Sequence, residues 1–321
     1  MKVIQGVLYG LAAGALWGMV FLAPRALSAF SPLELASCRY LSYGVVSLLM
    51  LLPLWRGVRG KLQHEDWLAL LRLSLIGNII YYVLLISAVQ LVGIAPTSLI
   101  IGVLPLLMTV IGSREHGALR LSALAWPLAL IMAGVAAINL DVFLYAPDPA
   151  NDSAGWLVKL GGLACAVAAL LSWTWYAVAN ARYLRQHPRF NSHEWSLLTG
   201  VCTGVLALLL ALPAGWLALS VPASAERDWA LFAGITVAVA LGASVLGTGL
   251  WNAASRRLPL TLSGQLIVFE TLFALFYGFL YEWRWPRPFE SLAMLLLLGG
   301  VLWSSWLHLQ PNEPLADEMP V

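Results

Sequence analysis

One carboxylate stands where a carboxylate is costly. Glu270 lies inside the apolar run QLIVFETLFALF, residues 265–276. A charged side chain at the centre of a bilayer costs a few kcal/mol, so it faces protein or water and has a partner. Such an acid can take up and release a proton, or pair with a cationic group on a solute. The alternative role is a carboxyl that only ties helices together. Ser263 falls two helical turns earlier on the same face. A second charged group, Arg25, Glu34 and Arg39, brackets the junction between the first two apolar stretches. It suits an outer gate that attracts or clamps a carboxylate. The plainer alternative is a structural pair between Glu34 and Arg39, or arginines reaching to lipid headgroups.

Between these charges run polar and aromatic stripes at helical spacing. Asn78, Tyr81 and Tyr82 form one, and Trp173, Tyr176 and Asn180 a second. A third, Ser244, Thr248, Asn252 and Ser255, advances by four, four and three residues. In lipid such faces turn inward, to bond across helices or to line an aqueous cavity. The candidate cavity set is Trp17, Asn78, Tyr81, Trp173, Tyr176, Asn180, Thr248, Asn252 and Ser263, with Glu270 as proton or cation switch. Aromatic walls beside an acid suit planar or cationic solutes, because a ring face attracts cations.

The elements that must hold these residues are membrane helices. Of 321 residues, 60% are hydrophobic and 11% charged, where a soluble domain has about 25% charged. Mean hydropathy is +0.82. Spans of about 20 apolar residues are predicted near 4–28, 34–55, 67–91, 93–113, 121–142, 156–183, 193–220, 228–255, 259–281 and 289–308. With a cytoplasmic N-terminus, inner loops and adjoining ends carry Lys2, Arg56, Arg59, Lys61, Arg72, Arg114, Arg120, Arg182, Arg185, Arg189, Arg256 and Arg257. Outer ones carry only Lys159, Arg227, Arg284 and Arg287. Positive charge collects inside, so both termini are expected in the cytoplasm. Trp283 and Trp285 flank an outer helix end as interface anchors do. The acidic residues 311–321 read as a disordered tail.

The chain carries a weak internal echo. Trp17 in AAGALWGMVFLAPRAL can be laid on Trp173 in VAALLSWTWYAVANARYL. LIGNIIYYVLLISAVQ (75–90) matches ALGASVLGTGLWNAAS (240–255), with Gly77 on Gly242, and Pro105 then falls on Glu270. Halves at 1–150 and 151–310 would each hold five spans, and an odd number forces opposite orientations. Inverted repeats of that kind mark transporters, with the site near the midplane. The expected fold is therefore all-α and integral to the membrane: ten helices as two inverted five-helix repeats around a central cavity.

Other chemistry finds no footing. A net charge of +2 without a basic tract gives no reason to expect nucleic acid. Three single cysteines and five scattered histidines have no metal-ligand spacing. The sequence contains no Walker A, HExxH or Gly-x-Ser-x-Gly motif. No cofactor, no metal and no catalytic residue are expected.

The motifs resemble the drug/metabolite transporter superfamily, in particular its ten-helix EamA-type exporters, over nearly the whole chain. ALWGMVF resembles the family's Trp-Gly-x-x-Phe stretch at Trp17, Gly18 and Phe21, and Arg39-Tyr40 its Arg-aromatic pair. Trp173 repeats the tryptophan, while Glu270 and Glu282 are similar to its Glu-Pro and Gly-Glu positions. The chain departs at Glu270-Thr271, at Leu104-Pro105, which has no acid, and before Glu282, where glycine is missing. The resemblance implies a carrier for amino acids, sugars, nucleotide derivatives or drugs, working by alternating access and more often exporting than importing. Expected partners are a small solute, the lipid bilayer of a bacterial inner membrane, protons and, in some settings, further copies of the chain. The competing classes are an intramembrane enzyme acting on lipid-like substrates and a non-transporting scaffold or sensor.

Overall fold

The computed structural model describes residues 2–27, 29–92, 94–115, 117–145, 156–220 and 227–310, all helix and connecting turns. The expected tail at 311–321 and residues 146–155 lie outside them. Among the described residues, seven helices are long and apolar enough to cross a membrane: Leu33–Arg59, His64–Val89, Trp156–Gln186, Ser192–Trp216, Trp229–Ser255, Leu260–Glu282 and Pro288–Leu307. Thr97–Gly112 and Ala125–Asp141 are shorter apolar helices.

In chain order, α1 spans Lys2–Gly18, followed by a 3-10 turn at Met19–Leu22 and the short α2 at Ala23–Ala26. Next come α3 (Pro32–Leu51), α4 (Trp55–Arg59) and α5 (His64–Ser74). A π-helical stretch at Leu75–Ile80 joins α5 to α6 (Tyr81–Val92). Then follow α7 (Ile94–Ile101), α8 (Leu104–Gly112), α9 (Ala125–Tyr145), α10 (Trp156–Gln186), α11 (Ser192–Ser220) and α12 (Trp229–Val239). A second π-helical stretch, Ala240–Gly247, joins α12 to α13 (Thr248–Ser255). The chain ends in α14 (Leu260–Leu266), α15 (Val268–Glu282) and α16 (Pro288–Leu307).

Local chemistry explains several of these boundaries. Ser31 and Glu34 cap α3 reciprocally, and Pro32 opens it where a missing N–H costs nothing. α7 and α8 are separate because Pro105, in the first turn of α8, cannot continue the hydrogen-bond ladder. Trp283 ends α15 in the left-handed region, at φ 50°. That turn is pinned by Arg284, which meets both oxygens of Glu290 at 2.7 Å. The Glu290 bonds, with help from Glu282, hold the Arg284 guanidinium above its ordinary range. Trp283 and Trp285 stand outside the bundle, 95% and 91% exposed.

The helices meet where side chains are small. Gly6, Gly10, Gly14 and Gly18 form one stripe of α1, and it lies against Leu258, Leu266, Phe269 and Phe273. A Cβ on Gly14 would fall 2.6 Å from Phe269 Cβ and 2.9 Å from the amide nitrogen of Glu270. Backbone cannot yield as a flexible side chain does, so Gly14→Val is expected to lower the melting temperature of the purified protein by the equivalent of about 1–3 kcal/mol. An unchanged melting curve would show that α1 is free to slide. α3 and α11 cross at Gly44 and Gly204, whose backbones touch, and a Cβ on Gly44 would lie 2.5 Å from Gly204 Cα. The most extensive packing pairs α3 with α11, α9 with α16, α6 with α10, α1 with α15 and α8 with α14.

Candidate functional site

The site forms where α1, α6, α10 and α13 converge. Trp173 of α10 is its hub, with ring centroids 6.5 Å from Tyr81, 6.0 Å from Tyr176 and 6.3 Å from Trp251. Trp17 of α1 tilts against Trp251 at 5.3 Å, and its indole N–H donates to the Ala243 carbonyl at 2.9 Å. That acceptor belongs to the π-helical stretch 240–247, so the irregular backbone positions an aromatic ring directly. Of the predicted cavity residues, Trp17, Tyr81, Trp173 and Tyr176 thus belong to one cluster.

The predicted polar residues divide differently. Asn180 and Asn252 are each 1% exposed and bonded to one another at 2.8 Å, while Trp195 donates to Asn180 at 2.9 Å. Asn78 donates to Thr203 at 2.9 Å. The Ser263 hydroxyl donates back to the Leu260 carbonyl of its own helix at 3.2 Å. In this conformation these side chains bond helices to each other or to themselves. Thr248, half-buried, lies one residue beyond the second π-helical stretch.

The charges come next. Glu270 is half-buried; its amide donates to the Ile267 carbonyl at 2.9 Å, and among the described residues its carboxylate makes no hydrogen bond or ion pair. Arg39 approaches Ser244 Oγ at 3.4 Å and lies 5.5 Å from the Tyr40 ring centroid. With Tyr82, Leu35, Ile235 and Thr236 it lines a crevice at the end of the bundle that carries Leu27 and Leu35. Glu270 does not line that crevice.

The alternative of a structural pair between Glu34 and Arg39 is not what forms. Glu34 bonds Arg227 at 3.0 Å and caps α3 by accepting from the Ser31 amide at 2.7 Å. Arg227 also donates to the Ala29 carbonyl and lies 4.5 Å from the Phe30 ring centroid. Helix geometry is the reason, since five residues turn Glu34 and Arg39 to different faces of α3. The side chain of Arg25 lies outside the described residues.

At the opposite, basic end a network crosses the bundle. Asp66 is fully buried and accepts from the Gln63 amide at 2.6 Å, from Tyr183 Oη at 2.5 Å and from Arg189 at 2.6 Å. Lys61 meets Glu194 at 2.7 Å, and Glu115 meets Arg182 and Arg185 at 3.0 Å each. Arg256 donates to the Phe190 carbonyl. Sequence reasoning missed Asp66 and Trp251. Trp251 had a signal: it stands three residues after Thr248 and so on the flank of the same stripe. Asp66 had none, being one acid in a charged connection.

The comparisons agree with this architecture. Inner membrane protein YtfF of Escherichia coli strain K12 is 33% identical over 333 aligned residues, spanning 98% of this chain and 99% of that one. A protein crystal structure 20% identical superposes with a TM-score of 0.71, over 94% of this chain and 98% of the other, which establishes the likeness of fold. The model of the EamA-like transporter family matches residues 4–140. With that match and a full-length relative, the chain belongs to the EamA-like transporter family.

Proposed function

We propose that the chain is a secondary carrier. It moves a small amphipathic solute, such as an amino acid or an aromatic or cationic compound, across the bacterial inner membrane by alternating access, in the direction of export. The observation that carries this reading is the half-buried Glu270, whose carboxylate has no hydrogen bond or ion pair among the described residues, in a bundle that gathers the rings of Trp17, Tyr81, Trp173 and Trp251 from four helices. An unpaired carboxylate at membrane depth is costly to keep. A cationic group on a solute, or a proton that neutralises Glu270, offsets that cost. Glu270 is then the proton or cation switch, the aromatic cluster with Asn78, Asn180, Thr248, Asn252 and Ser263 forms the wall around the solute, and Arg39 with Glu34 and Arg25 guards the outer mouth.

Two five-helix halves, 1–150 and 151–310, make up the moving parts in this reading, with ten spans in all. The offset that lays Gly77 on Gly242 also lays one π-helical stretch on the other, and the break at Gly102 on the break at Ile267. Packing is reciprocal under the same exchange. α1 contacts α13 and the α14–α15 span, while α10 contacts α6 and the α7–α8 span. α3 with α11 and α9 with α16 are each a helix against its counterpart. This reciprocity supports a two-fold relation between the halves.

The basic end is placed in the cytoplasm, with both termini. There the pairs of Asp66, Lys61 and Glu115 join segments of different halves, while the crevice beside Arg39 opens at the other end. We take these pairs as the inner gate of the carrier and the crevice as part of its outer mouth. Flux into and out of proteoliposomes, with and without a pH gradient, tests the carrier. Wild-type protein should move at least one amino acid, aromatic or cationic solute above protein-free vesicles. No flux across all three classes would overturn the reading.

A further inference from the structure

We propose that the indole N–H of Trp251 is a solute-binding donor, which hydrogen-bonds a carbonyl or carboxylate on a solute whose flat apolar body lies against the aromatic cluster. The proposal rests on the carrier reading above and names one chemical requirement of its solute.

Trp251 is 2% exposed, and its Nε1 is buried with no acceptor. Nearly all buried N–H groups are paired, because the water given up on burial must be replaced. Two neighbouring indoles obey that rule: Trp17 donates to Ala243 and Trp195 to Asn180. Trp251 alone of these three does not. It is also held in place. Its ring is wedged between Trp17 and Trp173, and the next residue, Asn252, is locked to Asn180. The indole therefore cannot swing away to find another partner. Its N–H has almost no accessible surface in this conformation. A solute that brings an acceptor gains the bond without a further desolvation cost to the protein, and a solute without one gains nothing. Discrimination by a preformed polar group is far sharper than discrimination by apolar fit.

The position fits the mechanism. Trp251 touches the rings of both α1 and α10, one from each proposed half. A solute bonded to it is therefore felt by both moving parts.

The test uses the full-length protein in lipid nanodiscs, with L-phenylalanine and 2-phenylethylamine as probes, which share a ring and an ammonium but differ in the carboxylate. The decisive variant is Trp251→3-benzothienylalanine, which keeps two fused rings and replaces the N–H by sulfur. Trp251→Phe serves as a simpler companion. Wild type should bind L-phenylalanine about tenfold or more tighter than the amine. In the benzothienyl variant that preference should fall below about threefold. Its solute-free melting temperature should equal or exceed that of wild type, because an unsatisfied donor has been removed. Trp17→Phe, which breaks a satisfied bond, should instead melt lower. Three results overturn the assignment: no preference in wild type, an undiminished preference in the variant, or a lower solute-free melting temperature with affinity unchanged. Wild-type flux measured beside the binding separates the two readings. Flux with undiminished selectivity in the variant removes Trp251 alone, whereas absence of all wild-type flux removes the carrier as well.

Discussion

Glu270→Gln is expected to uncouple transport from the pH gradient while leaving the fold intact. Glutamine keeps the size of glutamate but cannot exchange a proton. A pH difference of one unit is worth about 1.4 kcal/mol per proton. With one proton exchanged per solute, wild-type vesicles should therefore sustain about a tenfold solute ratio per unit of pH difference. In the variant that ratio should fall to one, with equilibration continuing downhill. Folding should not suffer, because the Glu270 carboxylate makes no hydrogen bond or ion pair among the described residues, and its backbone bond to Ile267 is kept in the variant. The measurement is steady-state solute accumulation at imposed gradients, together with the melting temperature. A variant that still accumulates solute would move the switch elsewhere. Arg39→Ala is the natural comparison, since it removes the half-buried cation that approaches Ser244 and lines the crevice.

The second large effect is expected at Asp66. Its carboxylate is fully buried and gathers the nearby Gln63 amide together with a phenol and a guanidinium from one distant segment, residues 183–189. Removing one member of such a buried set leaves the others without partners. Asp66→Ala should cost about 3 kcal/mol, with loss of the helix cap at Gln63 adding about 1 kcal/mol. Asp66→Asn keeps the acceptor oxygen for one donor and should cost less. The melting temperatures should then order wild type, Asp66→Asn, Asp66→Ala. A second effect follows from location. The network holds residues 61–66 to residues 183–194, so weakening it should make a cysteine placed nearby more reactive to a water-soluble thiol reagent. If both variants melt and label like wild type, the basic end is held by something else.

How much of this could be read from the residues alone depends on how local the cause is. Glu270 and Arg39 stand out because their cost in lipid depends on type and depth, and both are visible in one segment. The glycine stripe of α1 is periodic, so its packing role is equally local. The aromatic stripes were legible as faces, but that Trp173 meets rings from two other helices was not, because Tyr81 and Trp251 are remote in sequence. The polar stripes were legible only as inward-facing. Whether Asn180 meets solute or Asn252 depends on a partner 72 positions away. Glu34 illustrates the same limit, since its true partner, Arg227, is 193 positions off, while the nearer Arg39 turns to Ser244. The orphan donor of Trp251 could not be seen at all, because lacking an acceptor is a property of a whole neighbourhood.

The crossing at Gly44 and Gly204 carries a lesson for anyone wishing to harden this protein for study. Exchanging helical glycine for alanine is a routine stabilising change, gaining about 0.4–1 kcal/mol where the backbone allows it. Gly161, Gly215, Gly234 and Gly299 have nothing within 4 Å of an added methyl and are safe targets. At Gly44 or Gly204 the same methyl would meet another main chain, so a blanket alanine scan would force apart the seam between α3 and α11.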